Sequence, residues 1–343
     1  MQFIKPDINL NFIEKKNIGF LFSLSLIIIS FAFLIINNGP NYGIDFTGGT
    51  LVQVKFTEKI AIKTIRTGLS DIGLSNVSVQ NFGKKEDNEF LIRTNKSIKQ
   101  EENLSLSISK AFKKSTGIAP EIRRIEMVGP QVGKELRKKA LLAMFYSLLF
   151  ITIYISGRFE MKWILSGITA GSLMSAVYFL SVFNMSIIFL ISTAIIITLI
   201  LFWALKLKYA LGAVIALIHD VIITVGLFSI LNLEFSLPVI AALLTIIGYS
   251  LNDTIIVFDR IRENLKQIKK KTISEIINKS INETLSRTIL TSLTTLVVLF
   301  SLFFLGGEII HDFAFAMITG VIIGTYSSIF VASPILLIWN NKK

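Results

Sequence analysis

The 343-residue chain is 52% hydrophobic and 17% charged, with a mean hydropathy of +0.66, a balance that excludes a soluble globule and implies a polytopic membrane protein. Its net charge of +12 does not point to nucleic acid, because the lysines and arginines collect in short loops between apolar runs, where they orient helices rather than line a phosphate-reading groove. With no cysteine and only His219 and His311, disulfides, thiolate chemistry and a histidine-rich metal site are excluded, and no cofactor is expected.

A hydrocarbon core of ~30 Å is crossed by about 20 apolar residues. After an N-terminal tail at 1–17, apolar runs fall at 18–36, 140–156, 163–183, 187–205, 209–231, 236–258, 288–305 and 313–338, which gives eight expected spans, with a short tail at 340–343. The first run is too long for a signal-peptide core and leads into Asn37-Asn38-Gly39-Pro40 without an A-x-A site, so it is expected to remain as an anchor. Residues 37–139 form one large insertion. Within it 50–56 is strand-like, 60–74 helical, 77–82 and 89–94 strand-like, 100–117 helical and 121–128 strand-like. That βαββαβ order predicts two helices on one face of a four-stranded antiparallel sheet, a ferredoxin-like α+β domain. At its start, 43-GIDFTGGT-50 has the spacing of a phosphate-binding loop, but Gly49 stands where the lysine belongs. The glycines are read instead as a tight turn into the first strand.

The basic residues sort by side. Lys5, Lys15 and Lys16, Arg158 and Lys162, Lys206 and Lys208, the stretch from Arg260 to Arg287, and Lys342 and Lys343 all fall on one face, cytoplasmic by the positive-inside rule. Both termini are then inside and the α+β domain is extracytoplasmic. Between the sixth and seventh runs, Thr272 and Glu275 make a capping-box pattern ahead of Ile273, Ile277, Ile281 and Leu285, which predicts a short helix at about 272–286 lying on the inner surface.

Asp220 stands near the middle of the otherwise uncharged 209–231 run. An aspartate at the centre of a membrane helix costs roughly 2.5 to 3.5 kcal/mol, so it serves either proton movement or charge pairing, or it locks two helices together. Gly212, Ala216, Asp220 and Thr224 form a small and polar stripe at i+4 that lets another helix approach and cover the carboxylate. His219, turned by about 100°, joins a proton path or rests as a neutral hydrogen-bonded group. In the next run Asn252 and Asp253 lie within the membrane, while Asp259, Arg260, Arg262 and Glu263 lie at its inner boundary. Asp253 and Arg260 share a helix face at depths about 10 Å apart, so Arg260 either snorkels to the surface or reaches a carboxylate on a neighbouring helix during a conformational cycle. An aspartyl pair of Asp220 and Asp253 is disfavoured because their depths, ~16 Å and ~9 Å from the inner boundary, do not let them share one water. Ser250 as a nucleophile lacks oxyanion donors and the second glycine of a G-x-S-x-G turn.

GIDFTGGT (43–50), ALGAVIALIHDVIITVG (210–226), IAALLTIIGYSLNDTIIVFDRIREN (240–264), SRTILTSLTTL (286–296) and FAFAMITGVIIGTYSSIFVASP (313–334) together resemble the SecF family of protein-export membrane subunits over about 18–158 and 208–339. The resemblance implies a non-enzymatic half of a SecD–SecF assembly with an RND-like helix bundle, in the bacterial inner membrane. Such an assembly spends the proton gradient to help unfolded preproteins across, beside the SecYEG translocon and YajC. It carries proton conduction onto Asp220 and Arg260, with His219, Asn252 and Asp253 as further candidates. Family members have six spans, so 163–206 reads as an added hairpin, and its Gly167, Gly171 and Ser175 form a small-residue stripe suited to docking on the bundle or to facing lipid. A non-motor scaffold for the export assembly and an exporter of small molecules are the alternative readings.

Overall fold

The computed structural model describes residues 9–72, 74, 77–83, 87–94, 101–182, 186–268 and 271–340. Of the positions invoked above, Lys5, residues 73, 100, 183 and 269–270, Lys342 and Lys343 lie outside that set.

Helix α1 (Lys16–Ile36) leads to a two-residue strand, β1 (Asn41–Tyr42), and a single helical turn, α2 (Ile44–Thr47). The α+β domain follows with β2 (Gly49–Lys55), α3 (Ile62–Asp71), β3 (Val77–Phe82), β4 (Glu89–Thr94), α4 (Glu101–Thr116) and β5 (Glu121–Val128). Its sheet has the order β3-β4-β2-β5 and is antiparallel throughout, the ferredoxin-like arrangement. Strand alternation puts Val52, Val54, Phe56, Val79, Phe90 and Ile92 on one face, where they bury against Ile65 and Leu69 of α3 and Ile108 and Phe112 of α4. The opposite face carries Leu51, Gln53, Leu91 and Arg93, which line a cleft against the membrane part of the chain.

The glycine-rich segment does more than turn. Gly48 has φ +72°, and a Cβ there would lie 2.6 Å from Pro130 Cα, so the segment packs its backbone directly on the start of the next helix. That helix is α5 (Pro130–Glu160), with its proline in the first turn, where a missing N–H costs nothing. Then come α6 (Trp163–Val182), α7 (Ile187–Ala204), α8 (Lys208–Ile230), β6 (Glu234–Phe235), α9 (Leu237–Gln267), α10 (Ile273–Leu305) and α11 (Glu308–Ser327). A π-turn at Ser328–Ala332 continues α11 into α12 (Ser333–Asn340). Among the described residues, eight helices are long and apolar enough to cross a membrane.

Burial ranks them. About three-fifths of the apolar window of α8 and of the α11–α12 rod is buried (61% each), against 17% for α1 and α10 and 22% for α6 and α7. The centre of the bundle is therefore α8, α9 and α11, and the rest wrap it. The short strand β6 between α8 and α9 pairs in parallel with β1, Asn41 opposite Glu234 and Tyr42 opposite Phe235.

The separate surface helix expected at 272–286 is instead the first half of α10. Thr272 caps it, its hydroxyl accepting the Glu275 N–H at 3.3 Å, but no glycine or proline stands between Ile273 and Leu305 to stop it. The Ser280 and Thr284 hydroxyls donate to the carbonyls of Ile276 and Ser280 at 2.8 and 3.0 Å, so polar side chains are satisfied without leaving the helix. At 33 residues the rod is about 50 Å long, and its polar half extends past the hydrocarbon layer.

The α6–α7 hairpin packs on α5 through a small cluster of Phe145, Leu149, Ala170, Val177 and Ala194, and α7 also meets α8. Gly167 and Gly171 meet no atom within 4 Å of a built Cβ, and Ser175 is exposed. The small-residue stripe therefore faces outward rather than docking.

Candidate functional site

Asp220 is fully buried and His219 is 3% exposed, because the helices around them present small residues. Gly212, Ala213, Ala216 and Thr224 flank them on α8. On α11, Gly324 sits so close to α9 that an added Cβ would lie 2.8 Å from Ser250 Cβ. Three helices thus bring short side chains onto one carboxylate. Ser250 of α9 donates to Asp220 Oδ2 at 2.6 Å, and Ser327 at the end of α11 donates to the same oxygen at 2.9 Å. The other oxygen, Oδ1, lies 2.9 Å from His219 Nδ1. Immediately beyond Ser327 the helix opens into the π-turn, with Ser333 donating to the Ser328 carbonyl at 2.7 Å, an irregularity that clusters at functional sites.

The far side of the imidazole is polar at one atom. His219 Nε2 lies 3.0 Å from Ser23 Oγ of α1, Ser23 Oγ lies 3.0 Å from Tyr326 OH, and Tyr326 OH donates to the Gly19 carbonyl at 2.7 Å. The rest of His219 borders an apolar cavity of about 400 Å³ between α1, α7, α8 and α12, lined by residues such as Phe20, Leu24, Leu199, Ile218 and Ile335. Among the described residues Asp220 makes no ion pair with lysine or arginine, and its charged-group neighbour is His219. Isolated charge is costly at this depth, and the groups on the carboxylate are an imidazole and two hydroxyls rather than fixed countercharges.

The remaining sequence candidates fall elsewhere. Asp253 is 1% exposed and faces α10, where Ser292 stands beside it and contacts Thr325 Oγ1 at 2.7 Å. Its Oδ2 and the nearby Thr288 hydroxyl on α10 are buried without a partner. Asn252 is exposed on the outer face of α9, in line with Ala241, Thr245 and Gly248, and takes no part in the Asp220 cluster. Arg260 does not reach Asp220 either. Its Nε donates to Glu283 of α10 at 2.7 Å and its Nη1 to Glu263 at 2.9 Å, while Asn264 also donates to Glu283 at 2.7 Å. Arg260 is 39% exposed at the helix end, so it both extends to the surface and pairs with a carboxylate of α10. Ser250, considered only as a nucleophile, is a donor to Asp220. Ser23, Tyr326 and Ser327 carried no signal of their own.

A second charged cluster ties the α+β domain to the bundle. Arg93 of β4 pairs with Glu234 of β6, and a side chain at Gly43 would crowd Glu234 Oε1 at 2.5 Å. Asp45 of α2 accepts the Leu237 N–H at 2.9 Å, capping α9, and Asn37 donates to the Ser229 carbonyl at 2.8 Å near the end of α8. Burial raises the Glu234 carboxyl above the ordinary carboxylate range, with Arg93 opposing and Asp312 and Asp45 adding to the rise. Among the described residues, no group of three or more histidines, cysteines or carboxylates converges as a metal site.

The chain matches the family profile described as "Protein export membrane protein SecD/SecF, C-terminal" at residues 107–188 and 180–342, and that of the "SecD/SecF GG Motif" at 33–60. It is 42% identical over 345 residues to the protein translocase subunit SecF of Calditerrivibrio nitroreducens, covering 98% of this chain and 96% of that one. It is 40% identical over 336 residues to SecF of Vibrio alginolyticus, covering 98% and 91%. Among solved structures it is similar to SecDF of Thermus thermophilus, a translocon-associated membrane protein, with TM-score 0.72 and 32% identity over 98% of this chain. This chain spans 40% of that SecDF chain. The match to SecDF in its super-membrane-facing form has TM-score 0.63 at 33% identity, over 98% of this chain and 39% of that one.

Proposed function

The chain belongs to the SecF family of protein translocase subunits, and we propose that it is the SecF half of a proton-driven motor that works with SecD to draw unfolded preproteins across the bacterial inner membrane at the SecYEG translocon. The observation that carries this reading is Asp220, wholly buried at mid-membrane among an imidazole and two hydroxyl donors. A carboxylate held this way is neutralised by a proton rather than by a neighbouring cation. Protonation from the side of the α+β domain, which the positive-inside pattern makes extracytoplasmic, removes its charge. Ser250 and Ser327 then lose a charge-assisted acceptor, so α9 and α11 shift relative to α8. Release to the cytoplasmic side restores the starting arrangement. One elementary charge crossing the membrane supplies roughly 2.3 kcal/mol per 100 mV, enough to bias a two-state equilibrium by more than tenfold.

SecD is the partner this geometry supports best. The outward face of α9, with Ala241, Thr245, Gly248 and Asn252 exposed, is small and polar at membrane depth, a surface that a second set of helices would cover. YajC and the translocon are further partners on the same reading. The family profile matches in two pieces that overlap within the α6–α7 hairpin, which supports reading 163–206 as an addition to six family spans. Its Leu199 helps close the apolar cavity beside His219.

The test is Asp220→Asn, assayed for gradient-dependent export of a secreted protein at equal expression. A motor subunit should still co-purify with SecD and stall. A scaffold would instead lose the complex, and normal export by the variant would refute the motor reading.

A further inference from the structure

The contacts around His219 fix the direction of a whole chain of protons. A carbonyl oxygen only accepts, so Tyr326 spends its single hydroxyl proton on Gly19 at 2.7 Å. Ser23 must then donate to Tyr326 across 3.0 Å, which leaves its oxygen as an acceptor for His219 Nε2–H, also 3.0 Å away. With Nε2 protonated, the 2.9 Å contact between Nδ1 and Asp220 Oδ1 needs a proton of its own, since two lone pairs at that distance repel. The structure therefore depicts the loaded state, with one proton shared by His219 and Asp220 beyond the one on Nε2. The other hydroxyls facing the pair are Ser250 and Ser327, at 2.6 and 2.9 Å from Oδ2; Ser327 also lies 3.2 Å from the Gly324 carbonyl, and its shorter contact is the one to Asp220.

Resting on the proton-motor reading above, we propose that His219, Ser23 and Tyr326 form the exit wire that carries the proton of Asp220 to the Lys16 end of α1. The step balances without any side chain leaving its place. The Nε2 proton passes to Ser23 Oγ, the former Ser23 proton passes to Tyr326, and the former Tyr326 proton leaves to water at the end of α1 where Gly19 sits one turn in. His219 keeps one proton, now on Nδ1 and donated to the ionised Asp220. Ser23 donates back to Nε2, Tyr326 donates back to Ser23, and the Gly19 carbonyl loses its donor. Every bond in the chain has reversed. The cycle closes when Asp220 takes a new proton from the opposite side, the imidazole exchanges its Nδ1–H tautomer for the Nε2–H one, and the two hydroxyls rotate back.

The surroundings suit a wire. Tyr326 is held by near-parallel contact with His219 and Phe330, at ring separations of 6.2 and 5.2 Å, and by the edge of Phe22 at 5.5 Å, so its hydroxyl stays between its two partners. The apolar cavity on the other side of His219 offers no competing acceptor. The reversal also ends on α1, the helix that runs directly into β1 and α2, so emptying the site changes a bond on the helix that carries the α+β domain.

The experiment compares proton flux and export in vesicles holding the full chain with SecD. Ser23→Ala and Tyr326→Phe each remove one link and are expected to slow Asp220-dependent proton flux by about a hundredfold, the lower range for one positioned proton-transfer group. Ser23→Thr keeps a hydroxyl and should conduct within about twofold of the parent, a small change beside that effect. Infrared difference spectra after a pH jump supply a second readout, a tyrosine C–O band shift that disappears in Tyr326→Phe and in Asp220→Asn. Parental flux in Ser23→Ala and Tyr326→Phe, with Asp220→Asn blocked, would overturn the wire and leave the motor standing. Ser23→Thr failing as badly as Ser23→Ala would assign the serine to packing and also overturn it. Parental flux in Asp220→Asn would instead remove the motor reading itself.

Discussion

Helix α9 carries a residue of each of two polar clusters, Ser250 in the one around Asp220 and Arg260 in the other, ten residues on toward the helix end. The first holds a carboxylate whose side chain is 1% exposed, bonded to imidazole and hydroxyls. In the second, Arg260 is 39% exposed and its partners Glu283 and Glu263 are 27% and 58% exposed. Depth explains the different chemistry. Water at the helix end solvates the charges, so ion pairs there form freely and are worth only about 0.2 to 1 kcal/mol. At the centre a fixed cation would cost more than it returns, and an imidazole and two hydroxyls take its place. The difference teaches that, on the motor reading proposed for this chain, proton handling and charge pairing are separate tasks in the bundle, although the resemblance to the family joins Asp220 and Arg260 in one.

The largest effect that this contrast requires is at the centre. Asp220→Asn should lower gradient-dependent export by at least about a hundredfold, the scale of a lost proton-transfer group, with SecD binding intact. Next comes Gly324→Ala, whose Cβ would press on Ser250 at 2.8 Å. Overpacking of this kind costs about 1 to 3 kcal/mol, and displacement of Ser250 should reduce export roughly tenfold, the factor that 1.4 kcal/mol represents. Loss of export that persists when the folded protein is compared at equal amount would place the effect on the Asp220 cluster; an unchanged variant would show that α11 has room to give.

Arg260→Gln tests the other side of the comparison. It should lower thermal stability by about 0.2 to 1 kcal/mol and export by less than about fivefold, and Glu283→Gln should resemble it. Arg260→Gln as inactive as Asp220→Asn would break the separation and bring the arginine to the carboxylate in another conformation. The smallest effect concerns Glu234, which Arg93 of β4, Asp45 of α2 and Asp312 of α11 face, with His311 lining the same cleft. Its carboxyl is raised by burial, so its contribution to docking of the α+β domain on the bundle is fully present below the ordinary carboxylate range and is lost as pH rises through the raised value. Protease protection of the domain should therefore fall with rising pH, and Glu234→Gln should flatten that profile. The same slope in the variant would assign the dependence to another group.

Much of the fold was legible because hydropathy and period are local. Eight apolar runs announced the membrane helices, and the switch between periods of two and 3.6 announced the sheet domain. The continuity of α10 was not legible, because its polar half resembles a surface helix and only the lack of a breaker betrays the join. Within the site, Asp220 stood out through the cost of its charge, and the stripe of Gly212, Ala216 and Thr224 indicated that it would be covered. Its partners did not stand out. Ser23 and Tyr326 lie 196 residues before and 107 residues after His219, and a serine in an apolar run reads the same whether it bonds its own helix, as Ser25 does to the Leu21 carbonyl at 2.8 Å, or a histidine across the bundle. Asn252 was hard to place for the converse reason, since a polar residue at membrane depth reads the same in the interior as on the outward face of α9, where this one stands.

The claim beneath all of this is that Asp220 gains and loses a proton in place. Infrared spectroscopy of the complex in lipid, scanned over pH, tests it directly. The account predicts a protonated carboxyl carbonyl band that disappears as pH rises and is missing in Asp220→Asn, while a spectrum in which no band depends on Asp220 at any pH would contradict it.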